Sequence, residues 1–246
     1  MRKMLLLAVT ALVLSASVVA AGELSVGAVG SVSISPYKSY DVQVLPFPFI
    51  TYKDDRFYVK GSSLGVHLYK DERHEVSVGA SYLGLEFRPS RTDNRALKHL
   101  DKRRSTLMAD ASYSFVSKIG LFRAQIGRDV LGFSDGYLAS ASMHVPWITD
   151  TFVIMPGAGV QWASSKHNDY YFGVSRKEAN RSGLNRYQVG RTFSPFATLE
   201  AKYKLSECWD LVAKGKVEYL NGRIKHSPMV GKSYAASFMA GVQYNF

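Results

Sequence analysis

From Tyr234 to the last residue, every second side chain is apolar or aromatic: Tyr234, Ala236, Phe238, Ala240, Val242, Tyr244 and Phe246. The intervening Ala235, Ser237, Met239, Gly241, Gln243 and Asn245 are mostly small or polar. A strand has period two, so this run presents a greasy face opposite a wetter one. The pattern recurs upstream. Leu107, Ala109, Ala111, Tyr113 and Phe115 alternate with Met108, Asp110, Ser112 and Ser114, and Phe152, Ile154, Pro156, Ala158, Val160 and Trp162 alternate with Val153, Met155, Gly157, Gly159 and Gln161. Pro156 has no N–H for a ladder, which predicts a bulge or a local edge there.

Two further runs place charge on one face only. Leu199, Ala201, Tyr203 and Leu205 oppose Glu200, Lys202 and Lys204, while Leu211, Ala213, Val217 and Tyr219 oppose Lys214, Lys216 and Glu218. A backbone that crosses lipid must satisfy all its polar groups internally, which leaves helices or a closed sheet. Beyond the N-terminal segment no stretch approaches the ~20 apolar residues of a membrane helix, whereas 15 tyrosines and 13 phenylalanines supply the aromatic ends of barrel strands. The expectation is an all-β fold: an antiparallel transmembrane β-barrel. Charge at the bilayer midplane costs about 2–4 kcal/mol, so Asp110, Glu200, Lys202, Lys214, Lys216 and Glu218 are expected to face the lumen.

Candidate strands cover 24–34, 45–53, 56–70, 74–88, 104–117, 119–131, 136–146, 151–163, 191–204, 209–220 and 234–246. Single-chain bacterial barrels have even strand numbers, so about 12 strands are expected, the missing one being 168–174 or a split of 56–70. With both termini periplasmic, 89–103, 164–190 and 221–233 lie outside the cell and 117–119, 147–150 and 205–208 form tight periplasmic turns; the side occupied by 35–44 stays open.

The first residues read as an export signal: Arg2 and Lys3, an apolar run from Met4 to Leu14, then small residues ending in Val19-Ala20-Ala21. Cleavage is expected after Ala21, leaving a barrel domain over 22–246 and lowering the formal charge from +11 to +9. The single cysteine, Cys208, excludes an internal disulfide. Export past the inner membrane argues against a nucleic-acid partner despite the basic balance.

The 88–104 stretch carries Arg88, Arg91, Arg95, Lys98, Lys102, Arg103 and Arg104 against only Asp93 and Asp101. Such a segment suits lipopolysaccharide phosphates or another anionic partner, and equally suits a solvated loop. Ser175 and Glu178 form a capping-box pattern with Gly183 as a left-handed stop, which predicts a short helix in the long loop. The histidines His67, His74, His99, His144, His167 and His226 form no compact metal motif, and no GxSxG occurs. No enzyme activity and no cofactor are expected.

Several segments together resemble the family of MltA-interacting and OmpV-type outer-membrane proteins: Ser35 to Asp41, Leu45 to Tyr52, Arg56-Phe57-Tyr58 leading to Leu64-Gly65-Val66, Tyr170 to Ser175, Ser182-Gly183-Leu184, and Gly241 to Phe246. Tyr244 and the terminal Phe246 also resemble the sorting signal of bacterial outer-membrane barrels. The resemblance implies a non-enzymatic scaffold in the outer membrane, with a lytic murein transglycosylase and a bifunctional murein synthase as its partners. The alternatives are a small-solute porin or channel, based on the charged lumen, and a surface adhesin or lipopolysaccharide-interacting protein, based on the basic loop.

Overall fold

The structure, a computed structural model, describes residues 22–246; the expected export segment, 1–21, lies outside them. The strands are β1 (Glu23–Ile34), β2 (Gln43–Lys53), β3 (Phe57–Lys60), β4 (Ser63–Lys70), β5 (His74–Leu83), β6 (Thr106–Ser117) and β7 (Gly120–Asp129). They continue with β8 (Tyr137–His144), β9 (Trp147–Ile148), β10 (Phe152–Ala163), β11 (Thr192–Lys204), β12 (Trp209–Tyr219) and β13 (Tyr234–Asn245). The pairings are antiparallel, and β13 pairs with β1 to close the sheet. β8 and β9 both pair with β10 in one register, so together they make one stave and the barrel has twelve.

The missing strand is the split of 56–70: β3 and β4 form a hairpin at Gly61-Ser62, where Gly61 takes φ +59°. The other candidate, 168–174, is instead largely helical, within α1 (Ser165–Phe172). The expected bulge or edge at Pro156 is a single lost ladder bond. Val145 N–H donates to Pro156 O at 3.0 Å, proline returns nothing, and the register runs on unchanged. Strand 74–88 is shorter than expected, ending at Leu83. The 147–150 turn moves to 149–151 because Trp147 and Ile148 pair with β10.

The alternation read from sequence holds through the wall. Outward Phe238, Leu199 and Val217 are each at least half exposed, whereas the inward Asp210 and His144 are buried. For a soluble domain this is inside out; in lipid it is the low-energy arrangement. Glu23 at the start of β1 and Asn245 at the end of β13 share one rim with the turns at 118–119, 149–151 and 205–208, which makes that rim periplasmic and places 35–42 at the outer end.

The largest hydrophobic cluster lies above the barrel. Tyr37, Tyr40, Phe87, Leu97, Leu100, Tyr171, Phe172, Val174, Val189, Leu220, Ile224, Met229 and Val230 come from four of the six outer loops and pack into one core. Tyr37 is fully buried, 4.9 Å from the Phe87 ring, and its hydroxyl donates to Tyr171 O. The loops thus form a cap.

Candidate functional site

Three features could carry function: the cap, the charged lumen and the periplasmic rim.

The cap is held by α1, α2 (Arg176–Ser182) and α3 (Gly222–Lys225). α2 begins as the sequence predicts, with Ser175 and Glu178 in a reciprocal capping box and Gly183 left-handed at φ 73°. Glu178 also reaches beyond its helix. Its Oε1 accepts from Asp101 N–H at 2.9 Å and from Arg103 Nη2 at 2.7 Å, with both side chains buried. Burial raises this carboxyl, but the Ser175 and Asp101 N–H groups and the Arg103 charge outweigh burial and hold it below its ordinary value.

This pair changes the reading of the basic stretch. Arg103 is buried against Glu178, so it is withdrawn from any anionic surface. Arg88 and Arg91 both pair with Glu86 at 2.9 Å. Arg95, Lys98, Lys102 and Arg104 are exposed, with no ion pair among the described residues, and Arg104 lies over the Phe133 ring at 5.4 Å.

His167 of α1 is 3% exposed and packs on the Tyr171 ring at 4.8 Å. Burial pushes its imidazole down to about 4, against a smaller upward pull from Asp129. An unfolded histidine titrates at about 6.5, so between those values the unfolded cap binds the extra proton and stability falls as pH falls. We expect the cap to lose about 3 kcal/mol between pH 6.5 and pH 4. Limited proteolysis of the outer loops across this range should detect the loss, and His167→Phe should flatten it; equal dependence in both proteins would refute the assignment.

In the lumen, Lys214 pairs with Glu200 at 2.7 Å, Lys202 with Asp210 at 2.8 Å and Lys216 with Glu218 at 3.1 Å. Gln161 bridges the last two side chains from β10, accepting from Lys216 Nζ at 3.0 Å. Asp110 accepts from Ser81 Oγ on the adjacent strand. Lys60 was not singled out by the sequence reading. It stands on β3, five staves from β11, yet its ammonium lies 4.0 Å from Glu200. That contact reaches across the lumen: both side chains line a cavity of about 620 Å³, and a second cavity of about 510 Å³ lies beneath the cap, with Lys216 and Ser237 lining both. The signal was available: a turn placed at Gly61 puts Lys60 on the inward phase.

The periplasmic rim is ordered by short turns. Asp71 accepts from Arg73 N–H, His74 N–H and Tyr69 O–H, and the Tyr69 bond chiefly holds its carboxyl down, to about 2. Trp209, Tyr244 and Phe246 stack edge to face, with centroids 5.3 and 4.9 Å apart, and Phe246 N–H donates to Leu24 O at the seam. Ile119, in the β6–β7 turn, and Ile148, on β9 opposite lumen-facing Val153, lie at this rim, 66% and 72% exposed. Among the described residues, no group of three or more His, Cys, Asp or Glu could hold a metal ion.

A closed twelve-stave barrel with an apolar outer face, a polar lumen and short turns at one rim is an outer-membrane protein. The chain belongs to the family of MltA-interacting protein MipA, whose model matches residues 26–246. It is 35% identical to "MltA-interacting protein" of Escherichia coli (strain K12), covering 100% of both chains. It is 34% identical to "Putative outer membrane protein YiaT" of the same strain, over 92% of each chain, and 26% identical to "Outer membrane protein OmpV" of Vibrio cholerae, over 90% of this chain and 85% of that one.

Proposed function

We propose that this protein is an outer-membrane scaffold whose periplasmic rim holds a murein-remodelling enzyme at the membrane, a lytic murein transglycosylase first and a bifunctional murein synthase with it. The observation that carries the reading is an asymmetry between the two ends. Loops with their own hydrophobic core cover the outer mouth, while Ile119 and Ile148 stand uncovered at the periplasmic rim. The MltA-interacting relative adds support through the partner in its name. A stable interface buries about 800 Å² per partner, more than one of these short turns offers, so several turns must be engaged together. Membership of this family also supports a non-enzymatic role.

Pull-down of a purified lytic murein transglycosylase by the detergent-solubilised barrel tests the reading. Ile119→Asp with Ile148→Asp is expected to weaken retention about tenfold, the effect of losing roughly 1.4 kcal/mol. Retention unchanged in the double variant, or absent in the wild type, would overturn it. A mature chain beginning at Gly22 belongs to the same reading.

A second reading rests on Arg95, Lys98, Lys102 and Arg104, exposed on the cap and suited to lipopolysaccharide phosphates. Replacing Arg95, Lys98 and Lys102 by Glu should abolish salt-sensitive lipopolysaccharide binding; binding that survives the triple change would remove its electrostatic basis. The channel alternative requires a solute to pass both the Lys60–Glu200 contact and the cap.

A further inference from the structure

The barrel wall has a window, and its position and lining suit a lipid chain. The β3–β4 hairpin stops at Gly61-Ser62, and among the described residues no strand pairs with that side of β2 before Thr51. Gly61 N–H donates to Ile50 O, so the polar groups of Ile50 face β3, and by period two those of Pro48 and Pro46 face the same way. Both prolines therefore point their N–H-less nitrogens into the opening, while the ladder to β1 on the other side stays complete. Proline on a free edge blocks further pairing. The Leu45-Pro46-Phe47-Pro48-Phe49 run thus keeps the wall from closing.

The window has four sides. Its sill is the Gly61-Ser62 turn, bonded to Tyr82 N–H through Ser62 O. Its jambs are the free edge of β2 and the end of β5, three strand spacings of about 4.8 Å apart, or roughly 14 Å between backbone axes. Its lintel is the Tyr40–Thr92 bridge, with Asp41 N–H on Arg91 O and Arg88 N–H on the Tyr40 hydroxyl. The cavity beneath the cap touches lumen-facing Leu45 and Gln161 together with Tyr82, an outward residue registered with outward Leu107. With Leu83 in its lining as well, the cavity lies against both jambs of the opening.

The bilayer faces this opening. Through β1, Pro48 lies in register with Val242 and Pro46 with Ala240, rows inside the apolar belt bounded by Tyr244 below and Tyr234 above. On the lumen side β2 presents Leu45, Phe47 and Phe49 at successive inward positions, where β11 presents Phe196, Thr198, Glu200 and Lys202. Leu45 is 55% exposed and Phe47 37%. Met155 and Met239 line the same cavity as Phe47 and Phe49. Water gains nothing from such a surface, whereas an alkyl chain would cover it.

We infer that the window admits an acyl chain of a lipid of the surrounding bilayer into the barrel, against Phe47, Phe49 and Met155. The inference is independent of the scaffold reading. The test reconstitutes the full wild-type chain in vesicles of phosphatidylcholine carrying a mid-chain diazirine, irradiates them and maps the adducts by mass spectrometry. Adducts at Met155 or Phe47 are expected at a level comparable with the outward-facing Phe238. They should be lost when residues inserted at Gly61-Ser62 lengthen the β3–β4 hairpin to the height of β2, with barrel folding checked by heat-modifiable migration. Wild-type adducts confined to outward-facing side chains would overturn the inference, as would lumen adducts that persist undiminished in a folded variant with the longer hairpin.

Discussion

Glu178→Ala is expected to unlock the cap while leaving the barrel standing. The substitution strands the Arg103 guanidinium in a buried site and removes acceptors from Ser175 and Asp101 N–H together. Breaking a buried pair by deleting one partner costs about 3–5 kcal/mol, because the remaining charge is uncompensated. The wall does not share that cost, since its ladders run from β1 round to β13 without the cap. Outer-loop proteolysis should accelerate sharply in folded, heat-modifiable protein. The double variant Arg103→Met with Glu178→Leu should recover much of the loss, since removing both charges is far cheaper than removing one. A single variant as resistant as wild type would show that the ion pair does not hold the cap. Acid should act in the same direction: the folded carboxyl titrates below its ordinary value, so its contribution is present above that value and is lost as pH falls through the folded one.

Gly241→Ile is expected to prevent barrel closure. Gly241 lies on β13 opposite Val29 of β1, at the seam where the last strand meets the first. A Cβ there would sit 2.1 Å from Ala28 O and 2.6 Å from the Val29 Cα, both backbone atoms of the partner strand. Backbone on a closing ladder has no rotamer to change, so the strands must separate or lose register, and a one-residue slip turns the apolar face of β13 into the lumen. The expected result is loss of most of the heat-modifiable species. Ser237→Thr, on the same inward phase of β13, serves as a control that should fold. Full closure of Gly241→Ile would mean the seam tolerates displacement that its geometry does not suggest.

The wall was legible in the sequence because its physics is local. The period-two phase at Leu107–Phe115, Phe152–Trp162 and Leu199–Leu205 needs no knowledge of neighbours to say which side chain meets lipid. The α2 cap was legible for the same reason, since Ser175, Glu178 and Gly183 act within one turn of each other. The split at Gly61 was visible only as one of two candidates. The other, 168–174, was misleading because Tyr170, Tyr171 and Phe172 resemble strand residues, whereas Ser164 caps a helix that buries Tyr171 and Phe172 against Tyr37.

The basic stretch shows the limit most clearly. Seven positive side chains between Arg88 and Arg104 read alike in one dimension, yet the fold buries Arg103 on Glu178, spends Arg88 and Arg91 on Glu86, and leaves Arg95, Lys98, Lys102 and Arg104 exposed. Lys60 and Glu200 are likewise remote in sequence and meet only because the sheet closes.

By itself the sequence determined that the chain is a transmembrane barrel, which face of each strand meets lipid, and where one loop helix begins and ends. These follow from hydration and hydrogen bonding within a few residues. It took the folded chain to show that outer loops share a core, that Lys60 meets Glu200 across the lumen, and that Pro46 and Pro48 border a gap in the wall. Those features depend on which distant segments closure brings together, and no periodicity along the chain encodes that.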